Sequence, residues 1–193
     1  AHMFIYKNKY YLIIENIKDI DLRNIKPTNK FTIIYRNNKK IDDFNKIKKF
    51  IGICRTKKID FFIANNVKLM IKLKASGIYI SARNKDLNYN RLKNTNYKII
   101  GSAHNIKELQ LKIKQGCSKF IFSRLFETNY KFKLGFLGVI KFNFLKLSLN
   151  KELIPLGGIN SENLTKTNMV NCKSIALMSE VKKKPAKIFS RLF

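Results

Sequence analysis

The hydrophobic residues of this chain fall into eight short runs, separated by polar stretches with helical spacing or turn residues. The runs are rich in Ile, Tyr and Phe and are bounded by Gly, Pro, Asn or Ser, which is typical of β-strands. The predicted strands are residues 10–15, 31–36, 59–64, 77–81, 98–102, 119–123, 154–156 and 174–178.

Helical spacing lies between most of these strands. Phe44, Ile47 and Phe50 recur at three-residue steps, and Asn105 precedes an amphipathic stretch that ends at Gly116, a favourable residue just after a helix. The predicted inner faces are Val67, Met70, Ile71 and Lys74 in one helix, and Ile106, Leu109, Gln110 and Ile113 in another. The predicted helices are 19–25, 42–50, 66–74, 106–115, 139–150, 160 or 161 to about 170, and 180–192, with a partial helical turn within 82–90.

Strands and helices alternate at intervals of roughly 20 to 25 residues, which favours βαβ units and a parallel sheet. Eight such strands predict an α/β fold, a small and somewhat degenerate (β/α)₈ TIM barrel. In such a barrel the chemistry takes place at the carboxyl ends of the strands.

A Gly-Gly pair stands between the last two predicted strands. Gly157 and Gly158 follow Ile154–Leu156, and Met178-Ser179 follows the next apolar run. Glycines at such a position let a phosphate approach backbone N–H groups, and a helix beginning at Ser179 offers more of them. The alternative is a tight turn from strand to helix with no ligand.

Length and composition indicate one domain. We expect it to cover residues 3–193, because Ala1-His2 before Met3 looks like a cloning scar. No run is long and apolar enough to span a membrane, so we expect a cytoplasmic protein with no membrane partner. The odd number of cysteines (Cys54, Cys117 and Cys172) and their wide spacing predict reduced thiols.

The chain carries 40 Lys and Arg against 12 Asp and Glu, a formal net charge of +28. Nucleic acid is therefore one candidate partner. The lysines are spread from Lys7 to Lys187, however, and accompany many Asn and Ile residues, as A/T-rich codons would produce. We expect a basic surface that binds polyanions loosely and no specific nucleic acid.

Several motifs, in this order and spacing, resemble the thiamine-phosphate synthase family and its thiazole-tautomerase (TenI-like) relatives. The resemblance covers most of the chain and is strongest after residue 97. Arg36 also stands where the family has the arginine of a Q-x-R-x-K motif. The motifs are A-N-N-V-K-L at 64–69, A-S-G-I-Y-I-S at 75–81, G-S-A-H-N-I-K-E-L at 101–109, S-R-L-F-E-T-N-Y-K at 123–131, L-G at 137–138, I-P-L-G-G-I-N at 154–160 and S-I-A-L-M-S at 174–179.

The resemblance implies a magnesium-dependent transferase of thiamine biosynthesis on a (β/α)₈ barrel. It would join hydroxymethylpyrimidine pyrophosphate to thiazole phosphate and release pyrophosphate. Carried over position by position, the pyrophosphate would meet Arg36, Ser102 and Lys131, and the thiazole would face Thr128. The thiazole phosphate would bind at Gly157, Gly158, Met178 and Ser179.

The positions of the family's two metal-binding aspartates are Asn65 and Asn84 here. A neutral amide oxygen can complete a magnesium shell but cannot supply its charge, so the resemblance implies a cofactor that these positions do not support. Asp86 could restore one carboxylate if the loop were shifted.

Further departures lie close to other site positions. The Gln and Lys of Q-x-R-x-K are Ile34 and Asn38, and a threonine of the loop after the sixth strand is Tyr130. The tautomerase's catalytic histidine is Arg124, and His104, the only histidine after the scar, is interpreted as structural. Three functions stay open: the transferase, a catalytically weakened barrel that binds a thiazole or related phosphate, and a polyanion-binding protein. A homodimer is possible for each.

Overall fold

The computed structural model describes residues 7–37, 42–128 and 135–183. Within them eight strands form one parallel sheet, as the alternating pattern predicts. The strands are β1 Lys9–Ile14, β2 Phe31–Tyr35, β3 Asp60–Ala64, β4 Gly77–Ile80, β5 Lys98–Ala103, β6 Lys119–Ser123, β7 Glu152–Leu156 and β8 Ser174–Leu177.

The sheet curls into a nearly closed barrel. Its order is β7-β6-β5-β4-β3-β2-β1-β8, and its two outer strands, β7 and β8, come into contact. Every neighbouring pair is parallel, so the carboxyl ends of all eight strands lie at one end of the barrel, called here the mouth. The predicted (β/α)₈ TIM barrel is confirmed.

Alternation along the strands divides the core into two parts. One side of each strand fills the barrel interior, and the other packs beneath the helices and connecting segments. The interior cluster is Tyr11, Ile13, Ile34, Phe62, Tyr79, Ile100, Ile121, Ile154 and Ala176. This register decides which residues point into the mouth.

The helices are short, and several connections are 3₁₀ helices. The α-helices are α1 Phe44–Thr56, α2 Val67–Lys72, α3 Ile106–Lys114, α4 Gly138–Leu149 and α5 Ser179–Lys183. The 3₁₀ helices are Ile17–Asp19, Leu22–Asn24, Leu87–Asn94 and Leu164–Met169. Each of these helices is too short or too polar to serve as a membrane-spanning segment within the described ranges.

The cap of α3 is as predicted. The Asn105 side chain accepts a hydrogen bond from the Glu108 N–H at 2.9 Å. Gly116 has φ +87°, the left-handed conformation that glycine favours after a helix. The three cysteines are buried and free, which agrees with the predicted reduced thiols.

Some predicted elements differ in the structure. The helix expected over 19–25 is replaced by two 3₁₀ turns, because Asn16 and Asp21 each bond to a backbone N–H two residues on. The helix expected from residue 160 is the 3₁₀ helix Leu164–Met169, because the Asn160 side chain binds the N–H groups of residues 162 and 163 in a preceding turn. Only the first turns of the predicted helix 180–192 lie within the described residues.

Two predicted helix faces were partly wrong. Ile71 on α2 is 51% exposed, whereas Met70 is fully buried. On α3 the buried residues are Leu109 and Lys112, while Ile106 and Ile113 are about two-fifths exposed. Hydrophobic spacing missed Lys112 because it treats lysine as polar, although its four-carbon stem packs like an apolar side chain.

Candidate functional site

The described residues that were assigned from the sequence lie at or just after the carboxyl ends of the strands, at the mouth. Arg36 follows β2, Asn65 follows β3 and Asn84 belongs to the segment after β4. The others are Ser102 in β5, Thr128 after β6, Gly157 and Gly158 after β7, and Met178 and Ser179 after β8. Lys131 lies outside the described residues.

Arg36 projects from β2 towards the carboxyl end of β8. Its Nη2 donates to the Met178 sulfur at 3.3 Å and lies 3.9 Å from a Glu15 carboxylate oxygen. Its Nε is buried and has no hydrogen-bond partner within the described part of the chain. The structure therefore brings Arg36 and Met178 together across the end of β1, which lies between β2 and β8.

The two asparagines at the family's metal positions hydrogen-bond to each other. The Asn84 Nδ2 donates to the Asn65 Oδ1 at 3.2 Å. The same Asn65 oxygen accepts from the Ser81 N–H at 3.0 Å. The Asn65 Nδ2 lies 3.0 Å from the Ser81 hydroxyl. The Asn65 side-chain oxygen therefore already accepts hydrogen bonds from both Asn84 and Ser81.

Tyr89 and the buried Lys112 hydrogen-bond to the backbone oxygens of the asparagine pair. The Tyr89 hydroxyl donates to the Asn65 backbone oxygen at 2.8 Å, and burial raises the pKa of Tyr89, so this hydroxyl keeps its proton. The Lys112 ammonium donates to the Asn84 backbone oxygen at 2.6 Å and to the Gln115 side chain at 2.9 Å. Lys112 has no exposed surface, and burial lowers its pKa.

These residues do not fit a magnesium ion. The ion needs near-octahedral oxygen ligands and usually one or two carboxylates, whereas the Asn65 oxygen accepts hydrogen bonds. Asp86, the candidate replacement, caps the 3₁₀ helix Leu87–Asn94 by accepting from the Asn88 N–H at 2.9 Å. No group of three His, Cys, Asp or Glu side chains within the described ranges is placed to hold a metal.

The Gly157-Gly158 turn packs against the segment after β6. The Phe126 N–H donates to the Gly157 oxygen at 3.0 Å, and the Asn163 side chain donates to the Gly158 oxygen at 2.7 Å. Gly158 has φ +69°, and a Cβ on it would collide with the backbone carbonyls of Phe126 and Glu127. Close backbone approach therefore explains this glycine by itself, and phosphate binding here stays a prediction.

A second group of polar residues lies on the β4–β6 side of the mouth. A cavity of about 560 Å³ is lined there by Arg83, His104, Ser123, Arg124, Phe136 and Leu137, with Glu108 and Gly135. Arg124 lies beside Thr128, to whose hydroxyl its Nη1 donates at 3.0 Å. We call this space the arginine cavity.

Sequence reasoning missed Arg83 and Ser123 as mouth residues. Ser123 continues the inward register of β6, two residues after Ile121, so period-two counting would have found it. Arg83 lies in a turn after the end of β4, where strand alternation no longer applies. His104 has the predicted structural contact, a 3.0 Å pairing of its ring with Glu108, but it also lines the cavity.

Comparison with known proteins gives one consistent family. The sequence model of the family described as thiamine monophosphate synthase matches residues 25–181. Among curated proteins, a thiamine-phosphate synthase of Prochlorococcus marinus strain SARG is 27% identical over 135 residues, which is 69% of this chain and 39% of that protein. The enzyme of the same name from Prochlorococcus marinus subsp. pastoris is 27% identical over 190 residues, or 93% of this chain and 52% of that protein.

The chain thus spans about half or less of the length of these two relatives. Among solved structures, a thiamine phosphate pyrophosphorylase from Pyrococcus furiosus superposes with a TM-score of 0.74 at 17% identity, covering 97% of this chain and 94% of that one. A 3-keto-L-gulonate-6-phosphate decarboxylase from Vibrio cholerae superposes with a TM-score of 0.63 at 13% identity, covering 96% and 95%. At these identities the structural likenesses show the fold.

Proposed function

Because the chain belongs to the thiamine monophosphate synthase family, we propose that it is a thiamine-phosphate-synthase-type transferase. It would join hydroxymethylpyrimidine pyrophosphate to thiazole phosphate and release pyrophosphate. The observation that carries the proposal is the family match over residues 25–181, whose site positions fall at the strand ends of one barrel mouth.

The proposed reaction needs positive charge around the leaving group. The bond between the pyrimidine methylene carbon and the pyrophosphate oxygen breaks, and its electron pair leaves with pyrophosphate. The thiazole nitrogen then forms a C–N bond with the pyrimidine cation. Cationic and hydroxyl side chains that meet the pyrophosphate stabilise the growing negative charge, and Arg36, Ser102 and Lys131 are the residues proposed for this role.

The thiazole phosphate would bind beside the proposed pyrophosphate site. Thr128 is proposed to face the thiazole ring, with Gly157, Gly158, Met178 and Ser179 around its phosphate. Gly158 leaves no room for a side chain, and Met178 lies against Arg36. The two substrates would thus meet between the ends of β2, β6, β7 and β8.

The asparagine pair favours a second candidate function, a catalytically weakened member that binds a thiazole or related phosphate without turnover. The mutual hydrogen bond of Asn65 and Asn84 takes the place of a carboxylate metal site. We propose that pyrophosphate binding in this protein depends little on magnesium in either case, because arginine and lysine carry the positive charge.

A coupled assay with both precursors separates the two candidates. The full chain is incubated with hydroxymethylpyrimidine pyrophosphate and thiazole phosphate, with magnesium and separately with a chelator, and thiamine phosphate is measured by chromatography. The transferase should form product in both conditions. Substitution of Arg36→Gln should reduce turnover at least tenfold, whereas Arg23→Gln, an exposed arginine paired with Asp21, should leave it unchanged.

No product above background, with thiazole phosphate still bound in calorimetry, would favour the weakened member and end the transferase proposal for these substrates. Equal turnover in the Arg36→Gln and wild-type proteins would show that Arg36 has no part in the reaction.

A further inference from the structure

The interior of the barrel ends in a charged layer at the amino ends of the strands, opposite the mouth. Each residue of this layer stands two positions before a member of the interior cluster, so strand alternation turns its side chain towards the barrel axis. All of them lie outside the family motifs. We call this layer the floor, and its residues are Lys9, Thr32, Asp60, Lys98, Lys119 and Glu152.

The ionisable groups of the floor carry one positive charge in excess. Lys9 and Lys98 both pair with the same Asp60 oxygen, at 3.1 and 2.9 Å. Lys119 pairs with Glu152 at 2.9 Å. Although burial opposes ionisation, the hydrogen bonds from Lys98 and Lys9 hold the pKa of Asp60 below its ordinary value, so its carboxylate is charged at neutral pH. Three ammonium groups therefore face two carboxylates, and one monovalent anion would make the floor neutral.

A buried hydroxyl group in the floor lacks a partner. Thr32 is 1% exposed, and its Oγ1 has no hydrogen-bond partner within the described part of the chain. Buried polar atoms of proteins are nearly always hydrogen-bonded, and an exception commonly marks the place of a water molecule or an ion.

Thr32 and the three lysines line one small cavity together with Asp60 and Tyr11. Its volume is about 90 Å³, whereas one water molecule takes roughly 30 Å³ in the liquid, so an ion of halide size fits beside a water molecule. Burial raises the pKa of Tyr11, so its hydroxyl keeps its proton and is able to donate. Water alone would satisfy the Thr32 hydroxyl, but only an anion also offsets the excess charge.

We infer that the floor cavity binds one small monovalent anion of the halide class, to which the Thr32 hydroxyl donates and around which the ammonium groups of Lys9, Lys98 and Lys119 lie. Such an ion connects β1, β2, β5 and β6 and therefore stabilises the closed barrel. The interior cluster separates this cavity from the mouth, so the inference does not depend on the proposed transferase or on its substrates.

Urea unfolding of the full chain at one fixed ionic strength, with sodium gluconate replaced stepwise by sodium chloride, tests the inference. The two salts screen charges equally, but gluconate, a sugar acid, is too large for this cavity. An anion that binds only the folded chain stabilises it by mass action. The unfolding midpoint should therefore rise with chloride concentration and give an apparent dissociation constant, and bromide should have the same effect.

Two substitutions in the floor should weaken this effect. Thr32→Val keeps the shape of the side chain and removes the donor, so the apparent dissociation constant for chloride should rise at least about tenfold. Lys98→Gln should raise it by a smaller factor, about threefold, because the Lys98 side chain is 58% exposed and its charge is screened by solvent. The matched control is Lys151→Gln, an exposed lysine just before β7 at the same end of the barrel, which lies outside the cavity lining and should leave the constant unchanged.

Two results would show that the cavity holds only water and would overturn the inference. One is an equal midpoint in chloride and in gluconate for the unmodified chain, and the other is an equal chloride effect in Thr32→Val and the wild type. If Thr32→Val does not fold, Lys98→Gln and Lys151→Gln decide, because equal dissociation constants for these two variants would assign the effect to overall charge.

Discussion

Replacement of Gly158 by alanine should destabilise the barrel much more than the same change at Gly138. Both glycines have φ +69°, so both substitutions place an L-residue in the left-handed region. They differ in their surroundings. A Cβ on Gly138 meets nothing within 4 Å, whereas a Cβ on Gly158 collides with two backbone carbonyls of the segment after β6.

The common left-handed conformation costs about 1 kcal/mol in each variant. The collision at Gly158 adds the cost of overpacking, about 1–3 kcal/mol, because backbone carbonyls cannot move aside as a flexible side chain can. The Asn163 side chain, which donates to the Gly158 oxygen at 2.7 Å, also opposes movement of the turn. We therefore expect a loss of about 2–4 kcal/mol for Gly158→Ala and about 1 kcal/mol for Gly138→Ala.

Urea unfolding followed by circular dichroism measures both losses, and Gly52→Ala provides a third reference. Gly52 lies within α1 with nothing within 4 Å of its added Cβ, so alanine there should stabilise by about 0.5–1 kcal/mol. Losses for Gly158→Ala and Gly138→Ala that agree within about 0.5 kcal/mol would refute the reasoning, because the close approach of the two loops would then have no energetic effect.

Four further outcomes follow from the buried groups and the charge. Burial raises the pKa of Cys54 and of Cys117 to about 12, so a disulfide reagent at mildly alkaline pH should modify neither thiol until denaturant is added; fast labelling of the native chain would contradict this. Burial lowers the pKa of Lys112 from its ordinary 10.5, so the unfolded chain binds more protons at this residue than the folded chain does. Between the lowered pKa and the ordinary one, the stability of the wild-type protein should therefore rise with pH relative to that of Lys112→Met. Urea unfolding from neutral pH to about pH 10 measures this, and parallel stability curves for the two proteins would contradict it. Substitution of both Asn65→Asp and Asn84→Asp should make pyrophosphate binding magnesium-dependent in calorimetry, and a strict magnesium requirement in the unmodified chain would oppose our interpretation. Binding to DNA or RNA should show no sequence preference and fall steeply with salt, as gel-shift titrations at two ionic strengths would reveal.

The strands were predictable from sequence because parallel barrel strands are buried on both sides and form distinct apolar runs. The mouth positions followed from those strand ends, as Arg36 and Asn65 show. The 3₁₀ helix Leu164–Met169 was not predictable in the same way, since the Asn160 side chain binds a turn before it and Asn163 makes no side-chain cap.

The side-chain contacts between different strands and helices could not be predicted from the order of hydrophobic and polar residues alone. Lys112 is buried because its stem packs beside Gly101 and its ammonium reaches a backbone oxygen 28 residues earlier. The mutual bond of Asn65 and Asn84 likewise requires the actual side-chain geometry. Arg83 was overlooked because it lies in a turn beyond the strand end, where period-two alternation no longer applies.

The hydrogen-bond direction within the asparagine pair makes the order of two mutations matter. With Asn65→Asp first, the new carboxylate still accepts from the Asn84 amide and from the Ser81 N–H, and the Ser81 hydroxyl can donate to its second oxygen. With Asn84→Asp first, an oxygen replaces the Asn84 Nδ2 and faces the Asn65 Oδ1 at 3.2 Å, so two acceptors meet without a proton. Asn65→Asp is therefore the tolerated first substitution, and Asn84→Asp is not. Once both positions are aspartate, their two carboxylates need a cation between them.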